Sequence, residues 1–226
     1  MKQLLNATYL LWQKELRVEL RTGEILVTTA LFATLVAVLT SLAFYIDPKG
    51  APALAPGVLW IAIAFAGVLG TGRSWSRELE HDVFRALMLA PLPRAAIYLS
   101  KVLASTAFLL VVEVILVLEV GVLFSLDLLI VLGPLCSLLF LGTLGFSAAG
   151  NLFAALTVRS RARDMMLAVT VLPIVAPALL CGVVGTRELL AHAPLSEVYA
   201  WMQMLGAFDL AMLAAGITLF EPLVAD

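Results

Sequence analysis

GVLWIAIAFAGVLGTGRSWSRELEHDVFRALMLAPLPRAAIYLSK, residues 57–101, is an apolar segment broken at Arg73 by a run of mixed charge, which then resumes after Pro91 and Pro93. Its apolar parts could enter a bilayer, and its charged part could not do so unpaired. The reading of this break decides the fold. It predicts two membrane spans joined by a charged segment over residues 73–94 that lies outside the bilayer.

The rest of the chain has the same character. Of 226 residues, 62% are hydrophobic and 13% charged, and the mean hydropathy is +1.06. Soluble domains are roughly half apolar and a quarter charged. The composition therefore predicts an all-α integral membrane protein, one polytopic bundle with no room for a separate soluble domain. Six spans are expected, at about 25–46, 57–72, 95–124, 128–157, 165–185 and 201–220. Asp47, Pro48, Lys49 and Gly50 supply turn chemistry after the first.

Before the first span, KQLLNATYLLWQKELRVELRT places Leu5, Tyr9, Trp12, Leu16 and Leu20 on one helical stripe. Residues 1–24 thus read as an amphipathic interfacial helix; the alternative is a soluble helix packed on the end of the bundle. So long a polar lead, ahead of a run longer than a typical signal core, does not resemble a cleaved signal peptide.

Counted by gap, Lys and Arg number four before the first span, five in 73–101 and three in 158–164, against Lys49 and Arg187 in the alternate gaps. Basic residues favour the cytoplasmic side. Both termini and the charged break are therefore expected in the cytoplasm, with 186–200 on the other side. That last segment, TRELLAHAPLSEVYAW, is apolar enough to suggest a short re-entrant or surface helix.

Few residues could carry chemistry. Arg73, Arg77, Glu78, Glu80, His81, Asp82 and Arg85 surround Val83, Phe84, Leu87, Met88 and Leu89, with Asp82 placed as an N-cap and Pro91 as a stop. An amphipathic helix of that kind fits a groove on a partner protein; an ordinary solvated loop is the alternative. Glu113 and Glu119 lie within the third span, where an ionisable group is expensive. Six residues at about 100° each put them roughly 120° apart, on different faces. Glu113 reads either as a pathway residue or as a neutral interhelical hydrogen-bond donor, and Asp209 in the last span carries a weaker form of the same signal. Pro173 and Pro177 share one side of the fifth span and should bend it.

Cys136 and Cys181 both fall in apolar runs, as small buried hydrophobes do, and no CxxC or Cys/His metal spacing is present. His192 is a lone candidate ligand. The sequence has no GxxxxGK[ST] loop, no nucleophile–base pairing and no nucleic-acid motif. Uphill movement would need energy from another subunit.

The order of KELRVELR, two spans, RSWSRELEHDVFRALMLAPLPR and four more spans resembles the permease half of the type-2 ABC exporters. More closely it resembles the CcmB family of bacterial cytochrome c maturation. The likeness covers almost the whole chain, and its most specific blocks are PGVLWIAIAFAGVLGTGRSWSREL and LMLAPLPRAAIYLSK, supported by LTVRSRARDMMLAVTVLPIVAP. Many members carry a Gly after the acidic residues of the charged helix, where this chain has His81, Asp82 and Val83.

The resemblance implies an ABC-2 type permease fold in the bacterial inner membrane and a homodimer docked on two copies of the ATPase CcmA. CcmC, CcmD and the heme chaperone CcmE would be further partners. Residues 74–90 would form the coupling helix, with Arg73, Arg77, Glu78, Glu80, Asp82, Phe84 and Leu87 as coupling residues. ATP with Mg²⁺ would sit on the ATPase, and heme would be the group the complex handles. The tryptophan-rich WWD signature of CcmC is absent, so no heme ligand, metal ligand or catalytic residue is expected on this chain. Two rival readings are a type-2 permease for a lipid, polysaccharide or drug, and a proton-coupled secondary transporter using Glu113. The second should show inverted repeats, which the sequence lacks.

The topology is testable with reporter fusions at Asp127 and Arg161, which should report opposite sides of the membrane. Signals from the same side would refute six spans.

Overall fold

The computed structural model describes residues 2–44, 50–80, 83–128, 130–157 and 163–225. They form eight helices: α1 (Lys2–Thr22), α2 (Glu24–Phe44), α3 (Ala51–Glu80), α4 (Val83–Leu89), α5 (Arg94–Leu123), α6 (Leu132–Thr157), α7 (Arg163–Leu190) and α8 (Leu195–Ala225). Six of these, α2, α3 and α5 to α8, are long and apolar enough to cross a membrane, as the composition predicts. The protein is a multi-pass membrane protein. Only helices satisfy every backbone N–H and C=O locally in such surroundings.

The helices outrun the apolar runs that announce them. The helix that carries the second span does not stop at residue 72: α3 continues to Glu80 and takes Arg73, Arg77 and Glu78 with it. Charge ends a hydropathy segment, but it does not end a helix whose charges find partners. Residues 74–80 therefore belong to α3, and only Val83–Leu89 form the separate short helix α4. His81, Asp82 and the side chains of Glu80 and Phe84 lie outside the described residues, and with them the N-cap reading of Asp82.

Three tight connections have visible causes. Gly23 adopts φ +63° and accepts the turn from α1 to α2, with its N–H donating to Glu19 O at 2.7 Å. At the end of α5, Ser125 takes φ 52° while Leu126 N–H donates to Gly121 O at 2.9 Å. At the end of α7, His192 takes φ 55° while Ala193 N–H donates to Glu188 O at 3.0 Å. Both are six-to-one closures that cap a helix C-terminus. The expected surface helix over 186–200 is thus absent. Its first part completes α7, its last part opens α8, and His192 is an exposed capping residue between them. α7 itself runs through Pro173 and Pro177, and both prolines face outward.

α6 lies at the centre, packed on α5, α7 and α8, while α3 packs on α2, α5, α6 and α7. The close approaches are made by large aromatics set against glycine. Trp60 is 1% exposed and lies against Gly142 of α6 and Gly182 of α7, its indole N–H donating to Thr186 Oγ1 at 2.9 Å. Phe146 fills the space above Gly67, and Tyr98 that above Gly216. The Tyr98 hydroxyl donates to Ala148 O at 2.9 Å, with Met212 O a second acceptor at 3.3 Å. Where lipid is as apolar as the side chains, association depends on such fitted contacts rather than on the hydrophobic effect.

The slots predict a position-specific pattern. Gly182→Val and Gly142→Val should each destabilise the bundle by about 1–3 kcal/mol or more through overlap with Trp60. Gly57→Ala and Gly133→Ala, where an added Cβ meets nothing within 4 Å, should be neutral or mildly stabilising. Thermal unfolding in detergent distinguishes the two classes.

A buried ionic site and its relatives

At the end of the bundle where α1 crosses α3 and α5, three carboxylates and three cations are packed together. Glu15 and Glu19 project from α1, Arg77 and Glu78 from α3, Lys101 from α5, and Lys14 closes the group from α1. Lys101 Nζ lies 3.0 Å from Glu15 and 2.9 Å from Glu78. Lys14 Nζ reaches the same two carboxylates at 3.0 and 2.5 Å, and Arg77 spans Glu15 at 3.4 Å and Glu19 at 3.0 Å. Lys101 and Glu15 are each 2% exposed. Their charges leave water only because each has its counterpart beside it.

Each helix has a local reason to present these groups. On α1, Glu15 and Glu19 are four apart and share a face with Ala7 and Thr8, the other buried residues of that helix. The apolar side chains Leu5, Tyr9 and Leu20 point outward instead. The face of α1 that packs inward therefore carries Glu15 and Glu19, flanked by half-buried Leu11, Trp12 and Leu16. Glu19 also accepts Leu26 N–H at 2.8 Å, which fixes the start of α2. On α3, Ser74, Trp75 and Glu78 turn inward together. Lys101 donates to Ser74 Oγ at 3.2 Å and lies 5.9 Å from the Trp75 ring centre. The Trp75 indole N–H in turn donates to Asn151 Oδ1 of α6 at 2.9 Å, and Asn151 donates to Ser105 Oγ at 3.1 Å.

The electrostatics follow from the packing. Burial alone would push the Glu15 carboxyl up, but Lys101 and Lys14 outweigh it and hold the carboxyl at about 2. Burial likewise opposes the Lys14 ammonium, and Glu15 and Glu78 raise it above its ordinary value nonetheless. The cluster is an ionic clasp joining three helices.

Of the residues singled out from the sequence, Arg77 and Glu78 enter this clasp, while Arg73 makes an exposed pair with Glu24 at 3.3 Å. Leu87 is half-buried on α4, packed against the core. Glu15, Glu19 and Lys101 carried no such signal in the sequence, since nothing local shows which face of α1 will fold back. Glu113 and Glu119 go to different neighbours, as their 120° separation requires: Thr143 of α6 donates to Glu113, and Thr34 of α2 donates to Glu119 at 2.7 Å. Asp209 is 3% exposed beside Gly145 of α6. Cys181 is buried, but Cys136 is exposed, contrary to its expected place in the core, because its helix face borders an open cleft. Among the described residues no group of three or more His, Cys, Asp or Glu is placed to hold a metal ion.

The family model for CcmB protein matches residues 6–220. The chain belongs to the CcmB family. Its similarity to one member runs nearly end to end. It is 29% identical over 216 residues to heme exporter protein B of Pseudomonas aeruginosa, covering 94% of this chain and 96% of that protein. Heme exporter protein B of Paracoccus denitrificans is 33% identical over 183 residues, 78% of this chain and 80% of its own. With the Escherichia coli K12 protein of the same name the match is 31% over 94 residues.

Removing one member of the clasp leaves a buried charge uncompensated. Lys101→Met should destabilise the protein by about 3–5 kcal/mol in an unfolding titration. The pH dependence is equally specific. Glu15 is depressed from 4.5 to about 2, so its contribution is complete above pH 4.5 and is lost as pH falls toward 2. Wild-type stability should therefore drop across that window by about 3 kcal/mol, and the drop should shrink in Lys101→Met.

Proposed function

We propose that this chain is the membrane permease subunit of an ABC-type complex in cytochrome c maturation. The ATPase partner is CcmA, and the work done is heme export or release of the heme-loaded chaperone CcmE. The observation that carries the reading is the family match over residues 6–220, in a chain that has six candidate spans and no nucleotide-binding loop of its own. The relatives that bear the name heme exporter protein B support heme as the group handled. In this reading heme is cargo of the complex, CcmC and CcmD are its other subunits, and the chain works as a homodimer in the bacterial inner membrane with both termini cytoplasmic. The fold is that of an ABC-2 type permease, and α1 lies in the membrane interface with its outward Leu5, Tyr9 and Leu20 toward lipid.

The charged segment acquires a division of labour. Arg77 and Glu78 hold α3 to α1 and α5, and α4 is the part offered to the ATPase. Arg85 and Leu89 are exposed on α4, and Leu89 is 81% so. A load applied to α4 passes to α3 on one side and α5 on the other, and the clasp makes α1, α3 and α5 respond as one body. Glu80, Asp82, Phe84 and Leu87 complete the proposed docking segment.

Arg85→Ala with Leu89→Ser should lower ATP turnover or CcmA co-purification about tenfold while leaving permease yield and thermal stability unchanged. Turnover and co-purification at wild-type levels would remove the coupling role from α4. Glu78→Ala should instead lower the stability of the permease itself.

A further inference from the structure

A cleft of about 600 Å³ opens between α5 and α6 at the end of the bundle opposite the clasp. It runs along α5 from Leu110 to Val122 and is lined at that end by residues of the α5–α6 connection, including Asp127. Its walls are leucine and valine, with Cys136 on the α6 side. Val114 and Leu118 are each 63% exposed there, so the cleft faces the surrounding bilayer.

The inner end is not apolar. Glu113, 2% exposed, forms part of the wall; Thr143 donates to one of its oxygens, and Oε2 has no hydrogen-bond partner among the described residues. Ten residues separate Glu113 from the end of α5, about 15 Å along the axis. The two polar side chains among the lining residues, Glu113 deep and Asp127 at the mouth, are both acidic, and among the described residues no Lys, Arg or His lines the cleft. A buried carboxyl oxygen left unsatisfied is costly, and a donor or positive charge from an occupant offsets that cost. The volume lies in the ordinary range of small-molecule sites.

We infer that this cleft binds a lipophilic amine, an apolar body or chain ending in an ammonium group that reaches Glu113. The acidic lining sets the class: an anionic amphiphile would find no cation among the described lining residues, whereas an amine can pair with the Glu113 carboxyl whether or not that group holds its proton. Depth sets the source. A phospholipid keeps its head group at the interface and could present only acyl chain at Glu113, whereas a free amine can carry its donor inward. The inference is independent of the ATPase reading, because it concerns the α5–α6 face and not α4.

Cys136 reports occupancy directly, since it lines the cleft while Cys181 is buried. The full chain, in phosphatidylcholine nanodiscs, is labelled with a membrane-soluble N-alkyl maleimide while dodecylamine is titrated in; Cys136→Ala supplies the background. Dodecylamine should slow Cys136 labelling at least fivefold, and Glu113→Gln should raise the half-protecting concentration at least tenfold. Dodecanol, with the same chain and no charge, should protect poorly in both proteins. Val114→Phe, which fills the cleft from an exposed position without touching the buried carboxyl, should abolish protection by dodecylamine even if Glu113→Gln folds poorly. Equal protection by amine and alcohol would overturn the inference. So would slow Cys136 labelling without any amphiphile, which means that a second copy or a partner helix fills the cleft, or full protection by phosphatidylethanolamine nanodiscs to which dodecylamine adds nothing.

Discussion

Lys101 sits between Glu15 and Glu78 with almost no access to water, and the position of three helices depends on that contact. A lone ammonium in this place would cost several kcal/mol, and so would either carboxylate without it. With Lys14, Arg77 and Glu19 added, three positive and three negative groups balance within one cluster. An apolar cluster of the same volume could be as stable. It could not distinguish one register of α1 from another, because sliding a helix by one residue leaves greasy contacts intact and separates every ion pair. The clasp therefore fixes where α1 lies, and through Glu19 and Leu26 it fixes where α2 begins.

The clasp is continuous with the packed interior. Lys101 lies over Trp75, Trp75 donates to Asn151, and Asn151 donates to Ser105 back on α5. Trp75 and Tyr98 both rest on Phe220 of α8. Trp75 and Tyr98 do in the membrane what apolar burial does in water: each is held by shape against a glycine or a neighbouring ring and by hydrogen bonding at its polar edge. A displacement at the ionic end would be carried to α6 and α8 by contacts of this kind, without any loop intervening.

The number and order of spans were legible in the sequence because bilayer thickness converts directly into a run of apolar residues. Their ends were less so. Arg73 to Glu80 break the hydropathy run, yet they continue α3, because charges that would otherwise favour water are met by α1, α2 and α5. The same fact hid half of the clasp. Arg77 and Glu78 stood out as part of a charge run, whereas nothing in the local sequence marked Glu15 and Glu19 as their partners. Glu113 was legible as an anomaly in an apolar span, but its partner was not, since a threonine on another helix leaves no mark on local sequence. His192, conspicuous as a rare residue, is a helix cap with a left-handed backbone.

Along α5 the ionisable residues are settled in different ways, and the contrast has a mechanical meaning. Lys101 is met by two carboxylates and a serine at one end. Glu113 and Glu119, further along, each receive one threonine hydroxyl and keep one oxygen without a partner among the described residues. Glu78 Oε2 also has no hydrogen-bond partner among the described residues, so what sets the Lys101 end apart is charge pairing: separating its ions would leave buried charges uncompensated, whereas Glu113 and Glu119 are held by one neutral hydroxyl each. The Lys101 end of α5 should therefore move as a rigid body with α1 and α3. The Glu113 half, bordered by an open cleft, is where a change in helix position can be accommodated. Under the proposed coupling role, a push at the clasped end of such a helix would emerge as altered spacing at the other.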